Sequence, residues 1–221
     1  MPFKILGANV SPFVRKTRAF CAEKGIAYTL EQVNPAAPPE GWREKSPLGK
    51  IPVLEHDGKY VNDSSVICEY LERVRPEPAL YPKDPYDYAR ALWLEEFMDG
   101  GIVPHAGPNV FRPLALMPVL TRKDPDAAAI ANAQKVFDEQ LAPLLQYLDA
   151  QLGNHEFFVG NTLTIADIAV ASPFVNLRHA GFGADPAQTP KLAAFVERMH
   201  ARPSFQACID EEKPVFGKRW K

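Results

Sequence analysis

Apolar positions come in short runs in the first part of the chain and recur at helical spacing in the second. Phe3-Lys4-Ile5-Leu6 reads as a first strand. The stretch after it, through Phe20, Cys21 and Ala22, reads as a short amphipathic helix stopped by Gly25. Val53-Leu54-Glu55 is a second strand-like run, and Asp57-Gly58 just beyond it is a hairpin turn signal. Tyr60-Val61-Asn62-Asp63-Ser64-Ser65 then leads into a helix over Val66 to Leu71. Prolines mark the joints. Asn34-Pro35-Ala36-Ala37-Pro38-Pro39 reads as a surface loop, followed by at most a short, irregular helix over Glu40 to Lys45. Arg75 to Pro85, with prolines at Pro76, Pro78 and Pro82, reads as an interdomain linker. Beyond it strand-like alternation fades, so the architecture changes from α/β to all-α. The expected domains are residues 1–78 and 86–221.

In the second part Ala89, Trp93 and Phe97 recur at helical spacing, which predicts that they are buried. A long helix is expected over Asp126 to Leu152. Val136, Leu141, Leu144, Leu145 and Leu148 would face the core, and Pro143 would kink the helix or shift its register. Between these helices Gly100-Gly101, Pro104, Pro108, Pro113 and Pro118 predict bends or a loop. Thr164 and Asp167 form an Asp variant of the capping box, with Leu163 and Ile168 as its hydrophobic staple. Such a cap contributes about 1 kcal/mol. Asp167 is therefore assigned to folding rather than to general-base chemistry.

Composition narrows the function classes. A chain of 221 residues, 46% hydrophobic and 24% charged, is ordinary for a globular protein. A formal net charge of −2 gives no electrostatic case for nucleic acid or for an anionic membrane. No long apolar segment and no signal peptide is evident. The three scattered cysteines, Cys21, Cys68 and Cys208, lack metal-ligand spacing and fit a reduced cytoplasm.

The candidate chemistry lies in the loops of the first part. Ser11 stands between a strand and a helix start, where backbone N–H groups and the helix dipole favour an anion. The plainer reading is an N-cap before Pro12. A cis bond at Ile51-Pro52 would turn the Ile51 backbone toward a peptide-like ligand; a trans proline opening a strand is the commoner case. Asp63 and Ser64 begin another helix and suit a carboxylate and an amine, or capping alone. Arg15 reads as a solvated helix-surface residue.

Taken together, Ser11-Pro12-Phe13-Val14-Arg15-Lys16, Ile51-Pro52 and Asp63-Ser64, in this order and at these spacings, resemble the glutathione transferase superfamily over nearly the whole chain. The wording around Ser11 is similar to the serine-type transferases, bacterial ones and the plant tau class among them. The resemblance implies a thioredoxin-like N-terminal domain and an all-α C-terminal domain. It implies that Ser11 stabilises a glutathione thiolate, with Asn9 and Val10 as alternatives for the position nearest the sulfur. Ile51, next to Pro52, would pair with the cysteinyl backbone, Asp63 and Ser64 would hold the γ-glutamyl end, and Lys50 would meet the glycyl carboxylate. Phe13, His105, Phe111 and Arg112 would line the pocket of a small hydrophobic electrophile, in a detoxifying conjugation. A cytoplasmic homodimer is implied, with glutathione as co-substrate and no metal. The rivals are a glutathione-dependent reductase, which needs a reactive cysteine where Ser11 stands, an isomerase, and a non-catalytic ligand-binding or regulatory protein of the same fold.

Overall fold

The structure, a computed structural model, describes residues 2–216. The sequence also makes the shape of the second pocket depend on the tail Phe216 to Lys221, of which all but Phe216 lies outside the described residues. Strand β1 (Phe3–Gly7) is followed by α1 (Pro12–Glu23), β2 (Tyr28–Gln32), the short α2 (Trp42–Lys45), β3 (Val53–His56), β4 (Lys59–Asn62) and α3 (Ser64–Val74). The four strands form one mixed sheet in the order β2-β1-β3-β4, with β1 parallel to β2 and antiparallel to β3. Side chains alternate across it as a strand requires. Ile5 and its partner Leu54 enter the core shared with α1 and α3, while Leu6 and Val53 pack with Val33 and Trp42 on the other face. Gly7 ends β1 where α1 passes closest. A Cβ there would lie 2.5 Å from a Val14 methyl, so only glycine lets the helix seat this tightly.

The second part is helical. Residues 85–121 form one unbroken helical run: α4 (Pro85–Glu96), a π-helical stretch Phe97–Ile102, α5 (Val103–Ala106), a second π stretch Gly107–Leu116, and α6 (Met117–Thr121). The expectation of a loop here is corrected. Pro104, Pro108 and Pro118 each stand at a change between α and π bonding within the run, where the hydrogen-bond ladder shifts register. Pro113 sits within a widened π turn, a departure from regular α bonding of the kind that breaks in the ladder accompany.

The buried stripe on α4 is also corrected. Ala91, Leu94, Met98 and Ile102 face the core, whereas Ala89 is exposed, Trp93 is 55% exposed and Phe97 is half-buried. Both stripes have helical spacing, so periodicity alone does not choose between them. Trp93 instead donates its indole N–H to the Tyr147 hydroxyl at 3.0 Å, with the Phe97 ring against both.

Next come α7 (Ala127–Val136), a π turn Phe137–Leu141 and α8 (Ala142–Leu152). Together they make the long helix expected over Asp126 to Leu152, with a register change immediately before Pro143. Leu141, Leu145 and Leu148 are buried, and Val136 and Leu144 are half-buried. The central element is α9 (Ile165–His179), buried along almost its whole length and packed against α1 and α4. α10 (Pro190–His200) and α11 (Pro203–Phe216) close the domain.

The capping box at the start of α9 is present. Asp167 accepts the Thr164 N–H at 2.8 Å, the Thr164 hydroxyl at 3.1 Å and, with its other oxygen, the Phe158 N–H at 2.8 Å. Burial pushes this carboxyl up to about 6 against those hydrogen bonds. Asp167→Ala removes the cap and strands two buried backbone donors, at a cost of about 3 kcal/mol. By calorimetry its Tm is expected to fall by roughly 10 °C; an unchanged Tm would show that the box is dispensable.

Candidate active site

Strand register gathers the expected site residues. Leu6 near the end of β1 pairs with Val53 at the start of β3, and Val53 pairs with Asn62 at the end of β4. The segments that follow β1, precede β3 and follow β4 therefore leave the sheet at the same edge. They carry Ser11, Ile51-Pro52 and Asp63-Ser64. Helices α1 and α3 both start there, so two positive dipole ends face one region.

Ser11 is half-buried, with its backbone extended (φ −75°, ψ 126°). Its Oγ accepts the Val14 N–H at 3.4 Å, so the N-cap reading holds. Capping uses the oxygen as acceptor, and a hydroxyl keeps one proton to donate. The two readings of Ser11 are therefore compatible. The Ile51-Pro52 bond is cis. The loop before it is fixed by the Ser46 hydroxyl donating to Lys50 O at 2.8 Å, and by the Asn62 amide donating to Lys45 O at 3.0 Å. Lys50 is exposed and Ile51 half-buried. Asp63 caps α3 from a left-handed conformation (φ 74°), its carboxylate accepting the Ser65 N–H at 2.9 Å, and Ser64 beside it is buried.

The residues expected to line a second pocket are less united. Phe13 and His105 are half-buried and Arg112 is exposed. Phe111 is 7% exposed and packs its ring against His179 and Phe216. A pocket of about 710 Å³, with Phe137, Phe174, Arg178, Phe182 and Glu197 in its lining, contains none of the expected site residues. It lies beside α10 and the turn after α9.

Two polar clusters beneath the site went unread in the sequence. Lys16 is almost fully buried, and its ammonium reaches Asp99 at 2.7 Å, Glu95 at 2.9 Å and the Ser65 hydroxyl at 3.1 Å. Burial opposes the Lys16 charge, but Glu95 and Asp99 outweigh it and raise its pKa above the ordinary lysine value. The cluster ties α1 to the first turn of α3 and to α4.

Arg15 is fully buried, so its assignment to a solvated helix surface is corrected. It forks onto the Glu212 carboxylate at 2.6 and 2.8 Å and donates to Asn176 Oδ1 at 2.8 Å and Ser172 O at 2.9 Å. His179 Nε2 lies 2.7 Å from the other side of Glu212. Burial would raise the Glu212 carboxyl; Arg15 and His179 outweigh it and hold it below the usual carboxylate range. A signal for this was present. Arg15, Lys16 and Arg18 fall within four positions of a helix that must bury one face on the sheet, and Glu211-Glu212 supplies carboxylates in the last helix. Nothing in the sequence sets those segments side by side.

All three cysteines are buried. Burial pushes the Cys21 thiol up to about 12 and raises Cys68 and Cys208 as well. Among the described residues no group of three or more His, Cys, Asp or Glu side chains is placed to hold a metal ion, and no helix is long and apolar enough to cross a membrane.

A mixed sheet with a cis proline before β3, joined to an all-helical domain, is the architecture that the sequence resemblance implies. The family pattern for the glutathione S-transferase N-terminal domain matches residues 10–74, and that for the C-terminal domain matches residues 114–212. The chain is 32% identical over 207 residues to the GST-like protein YibF of Escherichia coli, covering 91% of this chain and 96% of that one. It is 29% identical to glutathione S-transferase U4 of Arabidopsis thaliana, covering 93% and 88%. A Methylobacillus flagellatus glutathione S-transferase with GSH bound superposes with a TM-score of 0.74 at 30% identity, covering 93% of this chain and 98% of the other. The chain belongs to the glutathione transferase superfamily.

The buried pair yields a stability prediction. Glu212→Gln leaves Arg15 buried without its counter-charge, at a cost of about 3–5 kcal/mol near neutral pH. The Glu212 contribution is complete above the unfolded-chain carboxylate pKa of about 4.3 and is lost as pH falls through the lower folded value. By urea denaturation the gap between wild type and Glu212→Gln is therefore widest near neutrality and narrows below about pH 4. A gap independent of pH would mean that the charge of Glu212 is not what stabilises the fold.

Proposed function

We propose that this protein is a glutathione transferase that conjugates the glutathione thiolate to small hydrophobic electrophiles. The observation that carries the reading is the meeting of Ser11, cis Ile51-Pro52 and Asp63-Ser64 at one end of the strands, where Ser11 Oγ accepts from Val14 and its proton has no acceptor among the described residues. Relatives of known structure with GSH bound lend it support. The burial of all three thiols argues against the reductase alternative, since mixed-disulfide exchange needs an accessible thiolate.

In the proposed reaction, Ile51 pairs with the cysteinyl backbone of glutathione and Lys50 meets its glycyl carboxylate. Asp63 and Ser64 hold the γ-glutamyl amine and carboxylate. Only the thiolate is a good nucleophile, and a free thiol is mostly protonated at neutral pH. Ser11 donates its hydroxyl proton as a hydrogen bond to the sulfur and keeps it, while the positive end of α1 adds to the preference for the anion. The thiol proton leaves to water. The sulfur lone pair then forms a C–S bond with the electrophilic carbon, and the displaced electron pair departs with the leaving group. Phe13, His105 and Arg112 are the candidate wall of the electrophile pocket. We take the domains as residues 1–78 and 86–221 and the working form as a cytoplasmic homodimer. Tyr60, Val66, Tyr86 and Trp93 on β4, α3 and α4 are each exposed, apolar surface that a second copy would cover.

The test is a pH titration of thiolate absorbance from glutathione bound to wild type and to Ser11→Ala. In wild type the bound thiol is expected to ionise well below its free pKa of about 8.5. Losing a charge-assisted hydrogen bond in Ser11→Ala should raise the bound value by about 1–2 units. Tight binding with no depression in wild type would instead indicate a ligand-carrying protein on the same fold.

A further inference from the structure

Ser11 lies in the first domain, yet its loop is held by the second. The Ser172 hydroxyl on α9 donates to Pro12 O at 2.6 Å, and one turn further along the same helix the Asn176 amide donates to Val10 O at 2.8 Å. Ser172 is 1% exposed and Asn176 5% exposed. These two acceptors belong to the peptide groups on either side of the Ser11-Pro12 bond.

The orientation of Asn176 is itself determined. Its Oδ1 accepts from Arg15, which fixes the NH₂ group on the side of Val10 O and removes the usual ambiguity of an amide. Arg15 also donates to the backbone O of Ser172 and is locked in place by both oxygens of Glu212. A chain of hydrogen bonds therefore runs from the last helix, through Arg15 and α9, to the loop carrying Ser11.

Each held carbonyl has a chemical consequence. The Val10–Ser11 peptide is clamped at both ends, by Asn176 at its oxygen and by Ala8 O, which accepts the Ser11 N–H at 3.0 Å. That fixes the Ser11 backbone from which Oγ projects. The Pro12–Phe13 peptide is trans, so the Phe13 N–H points opposite to Pro12 O, outward from the start of α1. It is one of the first-turn donors that a helix leaves without an internal partner. A hydrogen bond accepted by Pro12 O orients this N–H and polarises it.

We infer that Ser172 and Asn176 are positioning residues for thiolate activation, holding the two peptide groups around Ser11-Pro12 so that the Ser11 hydroxyl and the Phe13 N–H are both aimed at the bound sulfur. The inference rests on the proposed function and adds a role for the second domain in it. That domain supplies one wall of the electrophile site and also sets the acidity of a thiol bound in the first.

The experiment is the thiolate titration repeated on Ser172→Ala and Asn176→Ala, together with the pH profile of kcat/KM for a generic chloronitrobenzene electrophile. Ser172→Ala removes one hydroxyl and leaves no charge unpaired, so it keeps the question answerable if Asn176→Ala fails to fold beside Arg15. The bound thiol pKa is expected to rise by about half a unit to one unit in each variant, with KM for glutathione changed by less than about twofold. The acidic limb of the kcat/KM profile should move by the same amount, and Ser172→Thr, which restores a hydroxyl, should return both toward wild type. A lowered Tm with an unmoved thiol pKa would overturn the inference and leave these residues a purely structural role. A wild-type thiol that is not depressed overturns the proposed function and this inference together, whereas a depressed wild-type thiol that Ser172→Ala leaves unchanged overturns only the positioning.

Discussion

Everything about this molecule turns on the burial of α1 from Val14 to Cys21. Arg15, Lys16 and Arg18 are all buried or nearly so. Each is met by a carboxylate from beyond the linker: Glu212 for Arg15, Glu95 and Asp99 for Lys16, and Glu211 for Arg18. A buried guanidinium or ammonium is tolerable only when its charge is paired and its donors are satisfied. The second part of the chain must therefore dock onto the first in one register, or leave cations stranded in a core.

Such pairs are poor sources of net stability, because desolvation offsets most of the Coulombic gain. Their value here is geometric. Glu212 is approached by Arg15 on one side and His179 on the other, and Arg15 in turn sets Asn176 and Ser172. On the other flank Lys16 reaches the Ser65 hydroxyl in the first turn of α3. The helices that begin at the sheet edge are thus both tied from below to the all-helical domain. Loops alone would hold such a site less firmly than two helix starts cross-braced by ion pairs.

What could be read in the sequence was local. Ser11 before Pro12, the Asp57-Gly58 turn, Pro52 at a strand start and Thr164 with Asp167 are all written in residues a few positions apart, and each stands where its chemistry requires. The family resemblance and the architecture follow from those signals in order. What could not be read depends on partners far along the chain. Arg15 looks like a surface residue until Glu212, nearly two hundred positions later, is laid against it. Trp93 and Phe97 look like a core stripe because a helix can offer two stripes of equal spacing, and only the packing of α9 selects Ala91, Leu94 and Met98. The prolines between 104 and 118 look like breaks because their individual effects are read one at a time, whereas a helical run that alternates between α and π bonding absorbs them. β2, at the edge of the sheet with no fully buried position, leaves no comparable mark.

The pairing of Arg15 with Glu212 also has a bearing on how the chain is made. Synthesis runs from the amino terminus, and domains tend to fold as they emerge. The first strand and helix emerge well before α11, which carries the Glu212 and Glu211 carboxylates that meet Arg15 and Arg18. Until then the face of α1 that will be buried carries uncompensated positive charge and is better left in water than packed. α1 is thus completed by a helix made nearly two hundred residues after it, and the interior beneath it closes only once α11 has emerged.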